Sequence, residues 1–134
     1  MKIKLENAAH RTAFLEGTLK ADKVEKHGMD AVVDTGAVML ALPKDVVEVL
    51  NLREERKVVV SYADDRKETL PVHGPVFIEL EGRSMTTECV VLPPTPEALI
   101  GQIVLKSLDF IADCQNQTLG PRPESPIYPM LNLK

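Results

Sequence analysis

Asp34-Thr35-Gly36 is the group of residues in this sequence best suited to chemistry. A carboxylate can take a proton from a water molecule. A chain of this length meets such a tripeptide by chance on the order of a few per cent of the time, so the setting has to add weight. Ala31-Val32-Val33 before it reads as a short buried strand, Ala37 after it is small, and Val38 to Leu42 resumes the apolar character. Asp, Thr and Gly also favour turns, and a plain turn is the competing reading.

Other reactive residue types lack a supporting pattern. Asp64-Asp65 has no histidine or further carboxylate at ligand spacing, so a solvated turn is expected there and no metal. His10, His27 and His73 are scattered, and Ser61, Ser84, Ser107 and Ser125 stand outside any Gly-x-Ser-x-Gly context. Cys89 lies in an apolar strand, which favours an inert packed thiol. It is 25 residues from Cys114 and forms no CxxC, and such usage fits a reducing compartment. Glycine-rich phosphate loops are absent, and no cofactor is expected.

The elements that must hold Asp34 are mostly strands. Lys2 to Glu6 alternates polar and apolar residues, as a half-buried strand does. Pro43 to Leu50 predicts a short helix with Pro43 at its first position. Lys57 to Tyr62, a turn at Ala63-Asp64-Asp65-Arg66, and Glu68 to Leu80 predict a hairpin whose second arm is broken by Pro71, Gly74 and Pro75. Glu81-Gly82-Arg83 turns the chain into Thr86 to Leu92, and Pro93 to Pro96 is a stiff connector. Ala98 to Gly101 predicts another buried strand, Val104 to Leu108 a helical turn or two, and Phe110 to Asp113 with Gln117 to Leu119 a last hairpin. His10 to Lys26 shows no clear period. Closely spaced hairpins of this kind predict an all-β barrel or sandwich.

With 134 residues the chain suits one domain, and its 44% hydrophobic content is aliphatic, with no Trp, three Phe and two Tyr. The formal charge of −4 argues against a nucleic-acid partner and against a polybasic membrane anchor. The charged start, Met1 to Glu6, lacks the apolar stretch of a signal peptide, and no apolar run is long enough for a membrane helix. A soluble, cytoplasmic protein is expected, with residues 1–120 as the domain and 121–134 as a proline-rich extended tail.

Taken in order, Asp34-Thr35-Gly36-Ala37, Ala41-Leu42-Pro43-Lys44-Asp45-Val46-Val47, the hairpin near 60–69, Ala98-Leu99-Ile100-Gly101, and Leu105 to Asp113 with Asn116-Gln117-Thr118-Leu119 resemble the retropepsin-like aspartic proteases, in particular the small single-domain bacterial members. The resemblance runs from about Met29 to Leu119 and implies an all-β, closed retropepsin-like barrel with one or two short helices, one lobe per chain. It also implies a catalytic group of Asp34, Thr35 and Gly36: Asp34 as catalytic aspartate, Thr35 locking two loops together across a dimer axis, and Gly36 allowing close backbone approach. Substrate-binding positions fall at Ala37, at the flap residues Ala63, Asp64 and Asp65, and at Ile100, which with Gly101 packs behind the loop. The flap turn carries no glycine, although Asp tolerates left-handed backbone better than most residues. Val38 stands where viral members carry an acidic residue that anchors the substrate backbone.

Aspartic protease chemistry needs two carboxylates that share a proton, one accepting from the attacking water while the other polarises the scissile carbonyl. This chain has a single Asp-Thr-Gly, so a catalytic form must be a symmetric homodimer acting on a peptide or protein substrate. Ile3 and Leu5, together with Ile127 to Leu133, are candidates for interdigitated terminal strands of that dimer. A non-catalytic dimeric module that binds extended peptides by strand addition is the alternative, and a plain structural β-domain a third reading.

Overall fold

Strands with alternating burial close on themselves in the computed structural model, which describes residues 1–133. Strands β1 (Lys2–Asn7), β2 (Lys26–Val33), β3 (Leu40–Pro43), β4 (Arg53–Ser61), β5 (Lys67–Leu80), β6 (Arg83–Leu92) and β7 (Ala98–Ile100) form one sheet in the order β1-β2-β7-β3-β6-β5-β4. A further pairing of β1 with β5 shuts the first six into a barrel and leaves β4 outside it. Leu70, Val72, Val76, Ile78 and Leu80 alternate inward along β5. The filling is aliphatic: Ile3, Leu5, Leu40, Leu42, Ile78 and Ile100 are at most 1% exposed. Each such side chain contributes about 1.5–3 kcal/mol relative to leaving it in water.

β5 does two jobs. Its first part, Lys67 to Gly74, pairs with β4 in a hairpin that leaves the barrel, and its second part, Val76 to Glu79, pairs with β1 in the barrel wall. Pro71, Gly74 and Pro75 do not break it. Pairing with β6 begins at Val72, and its register shifts between His73 and Val76, so the missing N–H of Pro75 falls where the ladder is already interrupted.

Three short helices pack on the barrel: α1 (Ala8–Leu15), α2 (Lys44–Val49) and α3 (Gln102–Leu108), with one 3-10 turn at Ala21–Lys23. Pro43 ends β3 and caps α2 from outside, one position earlier than its expected place in the first turn. The helix that the sequence did not announce is α1. Buried Asn7 starts it by accepting a hydrogen bond from the His10 N–H, 3.0 Å, and its amide also donates to the carbonyls of Leu50 and Asn51 beyond α2. Across the barrel, β8 (Phe110–Asp113) and β9 (Thr118–Pro121) form a separate hairpin.

One interface expectation is corrected here. β1 is hydrogen-bonded on both edges, and Ile3 and Leu5 lie in this chain's own core, so neither residue is available to a second copy. Among the described residues no helix is long and apolar enough to cross a membrane.

Candidate functional site

The loop joining β2 to β3 carries Asp34, Thr35 and Gly36 over the end of β7. β7 lies between these two strands, parallel to β2 and antiparallel to β3, so the loop has to cross its C-terminal end. The Asp34 N–H donates to the Ile100 carbonyl at 3.0 Å, and the Ala37 N–H closes a turn on the Asp34 carbonyl at 3.1 Å. The Gly36 N–H donates to Asp34 Oδ1, 3.0 Å, which fixes the rotation of the carboxylate. Among the described residues nothing donates to Oδ2. A Cβ on residue 36 would sit 3.3 Å from Oδ1, tighter than most such contacts, so glycine suits this position.

Segment 101–103 supports the loop from behind. Gln102 and Ile103 donate their N–H groups to the carbonyls of Ala37 and Val38, each at 2.9 Å, and the Gln102 side-chain amide donates to the Thr35 carbonyl at 2.9 Å. The fit is close because residue 101 has no side chain: a Cβ there would lie 2.6 Å from the Met39 carbonyl oxygen. Bonds from Ile100, Gln102 and Ile103, with the close approach at Gly101, thus position the loop.

Two concavities meet at the loop. The first, about 570 Å³, has Asp34 and Gly36 at its edge, with Ala37, Val38, Met39 and Leu99 on one side and Val58 to Ala63 of the β4–β5 hairpin on the other. Its floor includes Leu70 and Val90, which pack with Val72 in a small cluster. The second, about 680 Å³, is lined by Thr35, Gln102, Lys106, Asp109, Arg122 and Met130. Asp34 and Thr35, adjacent in sequence, therefore serve different hollows.

The expected site residues distribute accordingly. Asp34, Gly36, Ala37 and Ala63 come together on the first cavity, and Thr35 turns to the second. Asp64 and Asp65 are exposed at the hairpin tip and do not line the cavity within one chain. Ile100 is fully buried; it reaches the site through its carbonyl, and Leu99 takes the place on the wall. At the tip, Asp65 adopts a left-handed backbone, φ 63°, and Asp64 accepts the Arg66 N–H, so the two aspartates form the turn without glycine. Tyr62 closes it by donating its hydroxyl to Glu68 at 2.9 Å, with the Arg66 guanidinium over its ring.

Sequence reasoning missed Asp109. It caps α3 in a left-handed conformation, φ 57°, and its buried carboxylate accepts from the Ser125 hydroxyl, the Arg122 guanidinium and the Met130 N–H. The Ser125 bond first, then the Arg122 pair, hold the carboxyl at about 2, well below its ordinary value. Arg83 donates to the carbonyls of Leu108, Asp109 and Ser125, so this group fastens the C-terminal segment to the barrel. Cys89 is buried, and burial pushes its thiol up to about 12, as an inert packed cysteine requires.

Comparison with known proteins decides the family. A profile of the gag-polyprotein putative aspartyl protease family matches residues 22–107, well over half the chain and all of the loop, the hairpin and the supporting strand. The chain belongs to this family. Among solved structures, EIAV protease complexed with an inhibitor is similar, with 22% identity and a TM-score of 0.46 over 65% of this chain and 79% of that one. No curated protein matches the chain. The retropepsin-like barrel expected from the motifs is the fold observed: six strands closed by β1 against β5, few short helices, and one Asp-Thr-Gly loop over an aliphatic cleft.

Proposed function

We propose that the protein is an aspartic endopeptidase in which two copies of the chain each contribute Asp34. The observation that carries this reading is the placement of the Asp34 carboxylate at the edge of an aliphatic cleft beneath a hairpin, with Gly36 holding Oδ1 and the loop fixed by main-chain bonds. Oδ2 is then the oxygen that meets a water molecule and the second carboxylate. Across the two-fold axis the two groups share one proton, because like charges about 3 Å apart cannot both ionise. One carboxylate takes the proton of the attacking water while the protonated one polarises the scissile carbonyl.

Several features favour the homodimer. Thr35 faces the second concavity, and Val38 on the first cavity and Ile103 in the first turn of α3 are 65% and 39% exposed, unusual for aliphatic residues next to a rigid loop. Met130 and Leu131 of the C-terminal segment line the same hollow. Residues 121–134 are accordingly proposed as a proline-rich tail that helps build the interface, apart from the domain at 1–120. The substrate is an extended peptide lying along the cleft, with Ala37, Ala63 and the wall at Leu99 in contact and Asp64 and Asp65 closing over it from the hairpin tip. Kinship with the small single-domain bacterial members and a cytoplasmic site of action belong to the same proposal, and both cysteines are free. No metal or cofactor enters the chemistry.

Asp34→Asn tests the reading. Asn keeps the shape and can still accept the Gly36 N–H, so the fold should persist while cleavage of an unstructured protein such as casein stops. Sedimentation should give about twice the monomer mass. Unchanged cleavage by Asp34→Asn would assign the activity to other residues. A strict monomer would remove the second carboxylate and favour the non-catalytic peptide-binding module.

A further inference from the structure

We propose that Gln117 is a positioning residue for Asp34, a role resting on the reading of Asp34 as catalytic. The last two residues of β2 and Asp34 direct their N–H groups alternately to the two edges of the strand. On one edge the Asp34 N–H meets Ile100 of β7. On the other edge Met1, just before β1, supplies its carbonyl to the Ala31 N–H at 2.7 Å, and the next N–H on that edge, that of Val33, is met by a side chain instead. Gln117 Oε1 accepts it at 2.9 Å, from a residue 84 positions along the chain. The residue directly before Asp34 is thus bonded on the edge opposite β7.

The glutamine is itself fixed. It sits in the turn between β8 and β9 with a left-handed backbone, φ 52°. Its Nε2 donates to the Cys114 carbonyl at 2.8 Å. Asp113 accepts from both the N–H and the side-chain amide of Asn116, holding the same turn closed. An uncharged side-chain amide accepts at one atom and donates at another, as this site requires. Glutamate would accept from Val33 but face the Cys114 carbonyl with a second acceptor, and leucine would fill the space without either bond. The β8–β9 hairpin, otherwise separate from the main sheet, sets the position of β2 at its catalytic end.

The test uses the full chain and the variants Gln117→Leu, Gln117→Glu and Gln117→Asn. Amide hydrogen exchange followed by NMR reads the tether without reference to activity. In Gln117→Leu the Val33 amide should exchange about tenfold faster, the loss of roughly one neutral hydrogen bond. The amides of Val32 and Asp34, which face β7, should keep their protection. Peptide cleavage by Gln117→Leu should lose about tenfold in kcat with KM nearly unchanged, because the cleft is intact and only the carboxylate is displaced. Gln117→Glu, which retains the acceptor, should recover most of the Val33 protection and part of kcat; Gln117→Asn, too short, should recover neither. Unchanged Val33 exchange in Gln117→Leu overturns the proposal, as does a loss of melting temperature with kcat unaffected, which would make Gln117 merely structural. Absence of cleavage by the wild type would instead overturn the protease reading, and Val33 exchange would still decide whether Gln117 holds the loop.

Discussion

Replacing Gly101 by alanine would drive a methyl group into the backbone of the Asp34 loop. The added Cβ would lie 2.6 Å from the Met39 carbonyl oxygen and 2.9 Å from both the Ala37 oxygen and the Val38 carbonyl carbon, against the 3.0 Å that real Cβ atoms essentially never breach. All three atoms are main chain, so no side-chain rotation relieves the contact. The backbone of residue 101 is extended, φ −96° and ψ −175°, and alanine adopts it freely; the cost is steric. Overpacking of this kind costs about 1–3 kcal/mol. If the loop moves away instead, the Gln102 and Ile103 hydrogen bonds to Ala37 and Val38 lengthen, at about 0.5–1.5 kcal/mol each. The stiffer unfolded chain returns about 0.4–1 kcal/mol. A net loss of about 1–2 kcal/mol is expected in urea unfolding, an appreciable share of a typical domain's stability of about 5–15 kcal/mol. Gly120→Ala is the control: its Cβ would meet nothing within 4 Å, and a change within about 0.5 kcal/mol is expected. If Gly101→Ala is no less stable than Gly120→Ala, the loop is not held by close packing on residue 101.

Asn7→Ala removes the cap of α1 and the donor to two carbonyls beyond α2, and urea unfolding should register a loss of about 2–3 kcal/mol. Asp109 has its carboxyl held down at about 2, so the stability from its bonds to Ser125 and Arg122 is complete above the ordinary carboxylate value near 3.8 and is lost as pH falls through about 2. The gap in melting temperature between the wild type and Asp109→Asn should therefore be constant from neutral pH to about 4 and close between about 4 and 2; a gap independent of pH would refute the assignment. Amides of Ala63 to Arg66, at an exposed tip, should exchange far faster than those of Ala31 and Val32, and equal protection would indicate a closed, rigid cleft.

Much of this was legible because strands buried on one face advertise themselves. Lys2 to Glu6 and Glu68 to Leu80 alternate, Ala31 to Val33 and Ala98 to Ile100 are short and apolar, and the turns at 63–66 and 81–83 carry residues that accept left-handed backbone. The Asp-Thr-Gly loop was legible for the same reason, being placed by flanking strands. Helix α1 was not, since its cap, Asn7, is also the last residue of β1 and its anchors at Leu50 and Asn51 lie more than 40 residues away. Ile3 and Leu5 showed the right period, but a period says which face is buried and not whether this chain or a second copy covers it. Gln117 and Asp109 act through contacts 84 and 13 to 21 residues distant, and no local pattern distinguishes such a residue from a polar side chain in a turn.

The site draws its rigidity mainly from the main chain, and this bears on how it can vary. Asp34 is held through its own N–H, its carbonyl and the Gly36 N–H, and residues 37 and 38 through carbonyls bonded to the start of α3. Almost any side chain is compatible with those bonds, so Val38, Met39, Leu99 and Val58 can change the cleft's shape without moving the carboxylate. The exceptions are positions where the side chain, or its absence, makes the contact: Gly101, where a Cβ would collide with the loop, and Gln117, whose amide stands in for a strand. On the proposed reading of Asp34, substitutions on the cleft wall should therefore alter which peptides are cleaved while leaving the geometry of the carboxylate alone. On that same reading, changes at Gly101 or Gln117 should slow the cleavage of every peptide alike.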